Sequence, residues 1–214
     1  MLTRPRTSLT ARTAFTVLMA ASLFLAGCKD SPSTAGASGS SAAKPASAPV
    51  SIAAIAADAT GFTVGSPMSA RTVYVFFDAQ CPHCSELWRT AKPLKSQAKF
   101  IWIPVGILNA ASTSQGATLL ASKDPVALMD EHEASILAKR GGISSASDVD
   151  VQKEAVAKNT QLLNRFGFTS IPTIVGTHAE TGALVTNEGA MSTVALASLL
   201  GLQAPAAPTP GPLR

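Results

Sequence analysis

The stretch FFDAQCPHCSELW, residues 76–88, holds two of the chain's three cysteines, Cys81 and Cys84, separated by one proline and one histidine. The preceding run RTVYVFF at 71–77 is β-branched and aromatic without polar alternation, which predicts a central strand covered on both faces. Proline is tolerated in the first turn of a helix, so we predict a helix over 82–91. The cysteine pair is therefore expected where a buried strand ends and a helix begins.

The rest of the chain alternates in the same way. Asp124 followed by Pro125 is an N-cap and first-turn pair, and Gly141-Gly142 is a typical helix stop. Val151 is expected on the buried face of a later helix together with Ala155, Leu162 and Phe166. The predicted elements are a strand at 100–105, helices at 125–140 and 149–166, strands at 173–177 and 183–187, and a helix from Ser192 to about Leu202. This order predicts an α/β fold with helices packed on a mixed sheet.

The first 27 residues have the composition of a secretory signal. Arginines at 4, 6 and 12 form a basic start, and the apolar run at 14–26 is too short to span a bilayer as a stable helix. The run ends in LAGC, residues 25–28, which resembles the bacterial lipobox. That resemblance implies acylation of Cys28, and Lys29 after it favours the inner leaflet of the outer membrane. We therefore predict a periplasmic, lipid-anchored protein.

The charge excess of the chain lies largely in this signal. The chain has 17 Lys and Arg against 13 Asp and Glu, and removal of residues 1–27 leaves 14 against 13. No basic run survives in the remainder, which argues against a nucleic-acid partner. We predict a flexible Ser/Ala/Pro/Gly tether at 28–49, one domain at 50–203 and a disordered tail at 204–214.

Three interpretations of the cysteine pair can be compared from the residues alone. A structural zinc site needs four ligands, and neither His132 nor His178 has a partner at ligand spacing, so we predict no metal. A disulfide that closes so short a loop would stabilise the fold only weakly. A redox centre explains the position better, because the N–H groups and dipole at a helix N-terminus favour a thiolate at Cys81. Cys84, one turn further in, would then be less exposed.

A second motif lies about ninety residues downstream. TSIPTIV, residues 169–175, places Pro172 where the chain turns into a strand, and cis X-Pro bonds are features of such turns. An ordinary trans proline at a strand start is the alternative that base rates favour.

Together the two motifs resemble the thioredoxin fold. More narrowly, VYVFFDAQCPHCSELWRTAKP at 73–93 and LASKDP at 120–125 resemble the catalytic domain of the periplasmic DsbG and DsbC disulfide isomerases, DsbG most closely. The likeness covers about residues 60–202. It implies a thioredoxin-like fold with a helical insertion between the half that holds the CxxC and the half that holds the cis-proline.

The resemblance also implies roles for individual residues. Cys81 would attack and Cys84 would resolve, with Pro82 and His83 between them tuning the redox properties. Pro172 would be the cis-proline facing the cysteines. The backbone of Ile171 would pair with a substrate segment. The implied activity is thiol–disulfide exchange on exported proteins that carry cysteines or disulfides, without a cofactor.

Three features differ from those isomerases. Only about twenty residues, 50–70, precede the predicted first strand after the tether, which leaves no room for their dimerisation domain and predicts a monomer. The CPHC dipeptide resembles the oxidant DsbA, and Ile171 replaces the usual threonine before the proline, as in thioredoxin. The electron partner would be a DsbD-like donor for a reductase or isomerase, and a DsbB-like acceptor for an oxidant.

Two functions of other classes remain open at this point. The two thiols with His83 are compatible with a copper-handling lipoprotein, because soft thiolates favour Cu(I). A chaperone-like module that holds misfolded clients would make the cysteine pair secondary.

Overall fold

The structure is a computed structural model that describes residues 47–206. The predicted signal at 1–27, the acylation site Cys28, most of the tether and the tail from residue 207 onward lie outside the described residues.

Strands and helices alternate along the described chain. The strands are β1 (Phe62–Gly65), β2 (Thr72–Asp78), β3 (Lys99–Val105), β4 (Thr173–Thr177) and β5 (Leu184–Glu188). The helices are α1 (Ile52–Asp58), α2 (Pro82–Ala91), α3 (Ala110–Ala121), α4 (Pro125–Leu137), α5 (Asp150–Arg165) and α6 (Thr193–Leu200), with a short 3₁₀ turn at Lys92–Leu94. All the elements predicted from the sequence are present, within a few residues of the expected bounds.

One mixed sheet carries the fold, in the strand order β1-β3-β2-β4-β5. β2 and β3 are parallel and are joined through α2, whereas the other neighbouring pairs are antiparallel. β2 is the middle strand, and all of its residues after Thr72 are buried. Its carboxyl end at Asp78 therefore delivers the CxxC turn to the edge of the sheet, next to the start of β4.

Aromatic side chains fill the core beneath α2. Trp88 and Trp102 are almost fully buried, and their ring centroids lie 4.9 Å apart in an edge-to-face arrangement. Phe77 packs on Trp102 with a centroid distance of 5.6 Å. Edge-to-face pairs contribute more than their buried area alone. The underside of the cysteine helix therefore rests on a rigid cluster.

The structure also has three elements that the sequence did not predict: α1, β1 and α3. The prediction that 50–70 precede the first strand is wrong, because β1 lies inside that range and pairs antiparallel with β3. Phe62 and Val64 are buried while Thr63 and Gly65 face outward, so four residues suffice for an edge strand. The helical insertion between β3 and β4 consists of α3, α4 and α5.

Two further expectations need correction. Val151 is 75% exposed, because the buried face of α5 begins one turn later at Val156. Ala48, assigned to the tether, donates its N–H to the carbonyl of Arg165 at 2.9 Å and packs against the core. Between residues 47 and 206, no helix has the length and apolar character needed to cross a bilayer.

Candidate active site

Cys81 is the N-cap residue of α2. Its N–H donates to the carbonyl of Asp78 at 3.0 Å, which closes a tight turn directly after β2. Its own carbonyl accepts from the N–H groups of Cys84 at 3.0 Å and Ser85 at 3.3 Å. The turn and the first helical bonds thus fix the backbone on both sides of the thiol.

The two cysteines differ in exposure and in acidity. Cys81 is 6% exposed and Cys84 is fully buried, and both are free thiols. A hydrogen bond from the Cys84 thiol lowers the pKa of Cys81 to about 6, helped by the N–H groups of Cys84 and His83, and together these outweigh burial. Burial raises the pKa of Cys84 well above its usual range. The outer sulfur is therefore largely a thiolate at neutral pH, and the inner one is a thiol.

The residues between the cysteines point outward. Pro82 occupies the first helical turn and is exposed, and the His83 side chain is 70% exposed. The Nδ1 atom of His83 lies 3.0 Å from a carboxylate oxygen of Glu86, and this hydrogen bond raises the pKa of His83. The charge of His83 favours the Cys81 thiolate, but it is the smallest of the favourable contributions. The sequence did not predict the pairing with Glu86.

The second motif lies against the thiol of Cys81. The Ile171–Pro172 peptide bond is cis, the geometry that the resemblance implied. The Sγ atom of Cys81 lies 3.9 Å from the carbonyl oxygen of Ile171. Glu188 holds the loop in place, since its carboxylate accepts from the N–H groups of Thr169 at 2.9 Å and Ser170 at 2.7 Å. The carbonyl of Ile171 is thus adjacent to the Cys81 sulfur, and Pro172 follows it in the same loop.

Asp78 connects the loops around the cysteines through hydrogen bonds to their backbone. It is fully buried, and one carboxylate oxygen accepts from the N–H of Gln80 at 2.8 Å. The other accepts from the N–H groups of Ile107 at 2.8 Å and Leu108 at 3.0 Å. Each acceptor satisfies a backbone donor close to the site, so the carboxylate joins the cysteine turn to the loop after β3.

α4 contributes two polar side chains that the sequence did not assign to the site. His132 is fully buried, and its Nε2 donates to the carbonyl of Ala79 at 2.6 Å while Nδ1 accepts from the N–H of Ile143 at 3.2 Å. Burial lowers the pKa of His132, so the ring is neutral and supports the turn before Cys81.

Glu133 is the second of these side chains. It is 2% exposed, and its Oε2 accepts a short hydrogen bond from the hydroxyl of Ser85, the residue after Cys84. Its Oε1 has no hydrogen-bond partner among the described residues. Burial raises the pKa of Glu133 to about 8. A carboxyl group that changes protonation near neutral pH thus lies behind the cysteine helix.

The sequence carried a signal for both residues. Met129, His132, Glu133 and Ile136 recur at the spacing of one helix face, and all four are buried. Two polar residues on the inner face of an otherwise apolar helix indicate that each has a hydrogen-bond partner in the core. Within residues 47–206, no group of three or more His, Cys, Asp or Glu side chains is arranged to hold a metal ion.

Comparison with known proteins places this geometry in context. No protein family model matches the chain. Over 137 residues it is 36% identical to the thiol:disulfide interchange protein DsbG of Pseudomonas aeruginosa, an alignment that covers 61% of this chain and 51% of that protein. The chain therefore spans about half the length of this relative.

Solved structures with similar folds have much lower sequence identity. The catalytic domain of Proteus mirabilis ScsC superposes with a TM-score of 0.53 at 16% identity, over 70% of this chain and 96% of that domain. A thioredoxin-like oxidoreductase from Silicibacter pomeroyi gives a TM-score of 0.51 at 19% identity, over 71% of this chain and 96% of the other. The predicted fold class is confirmed: the chain has a thioredoxin-like fold, and more than half of its length is similar to a DsbG.

Proposed function

We propose that this chain is a thiol:disulfide oxidoreductase that acts on the cysteines of exported proteins. The observation that carries the proposal is the asymmetric cysteine pair: a Cys81 thiol with a pKa of about 6 at a helix N-terminus, backed by a fully buried Cys84. The cis-proline loop beside the Cys81 sulfur and the similarity to a DsbG support the same chemistry.

In the proposed reaction, the Cys81 thiolate attacks one sulfur of a substrate disulfide. A Cys81–substrate bond forms, the substrate disulfide breaks, and the released substrate sulfur takes up a proton. Cys84, once deprotonated, then attacks the sulfur of Cys81. The Cys81–Cys84 disulfide forms, the second substrate thiol leaves, and two electrons have passed to the substrate. The reverse sequence oxidises a dithiol, and attack by another substrate cysteine on the mixed disulfide yields isomerisation.

The position of the backbone at Ile171 supports its proposed role in substrate binding. Ile171 lies outside the β4 ladder, whose paired residues begin at Thr173, and its carbonyl is adjacent to the Cys81 sulfur. A substrate segment extended along this loop would bring its sulfur to Cys81. Specificity would then depend on the substrate backbone rather than on a deep pocket.

The low pKa of Cys81 stabilises its thiolate and therefore the reduced form of the cysteine pair. This makes the Cys81–Cys84 disulfide a stronger oxidant. The CPHC dipeptide agrees with this direction, while the similarity to a DsbG favours isomerisation. In this proposal the protein works in the periplasm, anchored through acylated Cys28 to the inner leaflet of the outer membrane. A DsbD-like donor would maintain it as an isomerase or reductase, and a DsbB-like acceptor as an oxidant.

Trapping of the mixed disulfide tests the proposal. The full chain carrying Cys28→Ser is combined with Cys84→Ala and mixed with a peptide that contains one disulfide. The expected product is a covalent adduct at Cys81, identified by mass spectrometry and released by dithiothreitol. The matched Cys81→Ala protein, which keeps Cys84, should form no adduct. An adduct in neither protein, or equal amounts in both, would overturn the proposed function.

A further inference from the structure

We propose that Glu133 is the proton-transfer residue for Cys84: it takes the proton of this thiol when the mixed disulfide is resolved and returns it when the pair is reduced. The inference rests on the proposed function and adds a residue from the helical insertion to it. The supporting observations are the burial of both groups, their connection through Ser85 and the free oxygen of the carboxylate.

Cys84 needs a proton acceptor inside the protein. Its side chain is fully buried, so bulk water does not reach the sulfur. Burial also holds the pKa of this thiol well above its usual range, which leaves very little thiolate at neutral pH. The resolving step requires the thiolate, because a thiol is a poor nucleophile. A base beside the sulfur would therefore raise the rate of this step.

Glu133 is suited to this task in a way that Asp78 is not. Both carboxyl groups are buried near the cysteine turn. The two oxygens of Asp78 accept three backbone N–H groups, so both already have partners and serve a structural role. Glu133 accepts only from Ser85, the neighbour of Cys84, and its Oε1 has no partner among the described residues. That oxygen is free to bind a proton.

The surroundings of Glu133 contain few other ionisable groups. Glu133 interacts electrostatically with both cysteines at the start of α2. The Cys81 thiolate raises the pKa of Glu133, and the Glu133 carboxylate raises the pKa of Cys84. The remaining ionisable side chains of α2 are exposed, namely His83, Glu86 and Arg89. α3 and β1, which also pack against α4, carry no ionisable side chain.

The neighbouring residues of α4 are accounted for as well. His132 is held neutral between two backbone groups. Asp130 forms an ion pair with Lys92 and accepts from the indole of Trp88. Asp130 and Glu131 are exposed and both ring nitrogens of His132 have partners, so Glu133 is the buried carboxyl group of α4 that remains for proton transfer.

The charge of Cys81 sets the timing of the transfer. In the reduced protein burial and, to a smaller extent, the Cys81 thiolate raise the pKa of Glu133, so Glu133 holds its proton. Formation of the mixed disulfide removes the Cys81 charge, which lowers the pKa of Glu133, and Glu133 then loses its proton to solvent and becomes a carboxylate. The carboxylate then takes the Cys84 proton, the Cys84 thiolate attacks the Cys81 sulfur, and the substrate leaves as a thiol with a proton from solvent. Reduction of the pair runs the same transfers backward.

The test measures the resolving step separately from the first attack. The full chain with Cys28→Ser is mixed rapidly with the disulfide peptide, quenched in acid at successive times, and the mixed disulfide and final products are quantified from pH 5 to 9. Glu133→Gln, which is close to isosteric, should slow resolution at pH 7 by roughly a hundredfold or more. The variant rate should rise with hydroxide across the range, whereas the wild-type rate should level off once the carboxylate has ionised.

Controls separate proton transfer from a structural effect. Glu131→Gln changes an exposed carboxyl group of the same helix and should leave the resolution rate unchanged. Glu133→Asp keeps the acid and should restore part of the rate, which a merely structural role would not predict. If Glu133→Gln does not fold, the resolution rate is measured in Glu133→Asp and Ser85→Ala instead. The proposal then predicts that their pH profiles differ from that of the wild type.

Two negative results have different meanings for the proposed function and for the role of Glu133. If the wild-type chain forms no mixed disulfide, the proposed function itself fails. If mixed disulfide forms but resolves at the same rate and with the same pH profile in the wild type and in the Glu133 variants, only the role of Glu133 is overturned.

Discussion

The Cys81 sulfur and the Ile171 carbonyl oxygen lie 3.9 Å apart, although the two residues are separated by 90 positions in the chain. Cys81 follows β2, and Ile171 lies in the cis-proline loop that precedes β4. These two strands are hydrogen-bonded neighbours. The thiol is thereby placed against the cis-proline loop, in which Ile171 and Pro172 are buried while Thr169 and Ser170 are exposed to solvent. This arrangement suits a reaction in which the substrate is an extended segment of another protein.

The acidity of Cys81 should depend mainly on its partner cysteine. Cys84→Ala removes the thiol that donates to Cys81, the largest cause of the lowered pKa, so we expect the pKa of Cys81 to rise by about one unit or more. The rate of iodoacetamide alkylation as a function of pH measures it, with a midpoint near pH 6 expected when Cys84 is present. An unchanged midpoint in Cys84→Ala would show that the helix N-terminus alone sets the acidity.

His83 should have a smaller effect on the same midpoint. Its ring is solvent-exposed and paired with Glu86, and its charge is the least of the favourable contributions to the Cys81 thiolate. His83→Ala should therefore raise the pKa of Cys81 by less than Cys84→Ala does, and added salt should reduce the difference from wild type. A larger shift in His83→Ala than in Cys84→Ala would contradict this order.

Glu133 should make stability depend on pH in a direction opposite to that of an ordinary surface carboxylate. Its pKa is raised in the folded protein to about 8 from 4.5. A raised folded-state pKa gives stability that is fully present below the unfolded value, near pH 4.5, and is lost as pH rises through about 8. Across this window, the free energy of unfolding of Glu133→Gln relative to wild type should increase with pH, by at most about 1.4 kcal/mol per pH unit.

Urea titrations of both proteins between pH 5 and 8 measure this difference. Cys81 has the opposite dependence, because its lowered pKa gives stability that is lost as pH falls through about 6. Since both proteins keep Cys81, the comparison largely cancels its contribution. A difference between the two proteins that stays constant with pH would show that Glu133 titrates normally in the folded state.

Two adjacent glycines allow a matched test of the contact between the 141–142 turn and His132. Gly141 and Gly142 both have positive φ, at 85° and 87°. A Cβ on Gly142 would lie 2.5 Å from Cε1 of His132, whereas no described atom lies within 4 Å of a Cβ on Gly141. Both alanine variants incur the cost of a left-handed alanine, about 1–2 kcal/mol. Gly142→Ala should lose roughly a further 1–3 kcal/mol through displacement of the ring.

Thermal unfolding of the two glycine variants side by side provides the measurement. Gly142→Ala should also reduce the reactivity of Cys81, because the His132 ring supports the carbonyl of Ala79 in the turn before it. Equal stability losses in the two variants would show that the His132 ring moves aside without cost.

The strands and the cysteine helix were predictable because their signals are local. β2 is a continuous apolar run, and the proline of the CPHC motif marks the start of α2. α3 was missed because its N-terminal signal is a capping box with Asn109 and Ser112 rather than the commoner acidic form. β1 was missed because four residues show too little alternation to distinguish a strand from a loop.

The polar interior of the site could not be obtained from local patterns. Asn159 is fully buried because its side chain bonds to the backbone of Thr60 and to the carbonyl of Pro104, contacts that exist only once α5 packs on the sheet. Glu133 and His132 are similar, since their partners Ser85 and Ala79 lie 48 and 53 positions away. A polar residue on an inner helix face signals that a partner exists, but only the fold identifies it.

The reduction potential of the Cys81–Cys84 pair tests the central claim most directly. The full chain with Cys28→Ser is equilibrated in glutathione buffers of graded ratio, and the fraction of reduced pair is counted by thiol alkylation and mass spectrometry. The low pKa of Cys81 predicts one two-electron transition between about −120 and −180 mV, in the range of DsbA and protein disulfide isomerase. No Cys81–Cys84 disulfide at any ratio would contradict the redox function, and a potential near −270 mV, like that of thioredoxin, would contradict the oxidising direction.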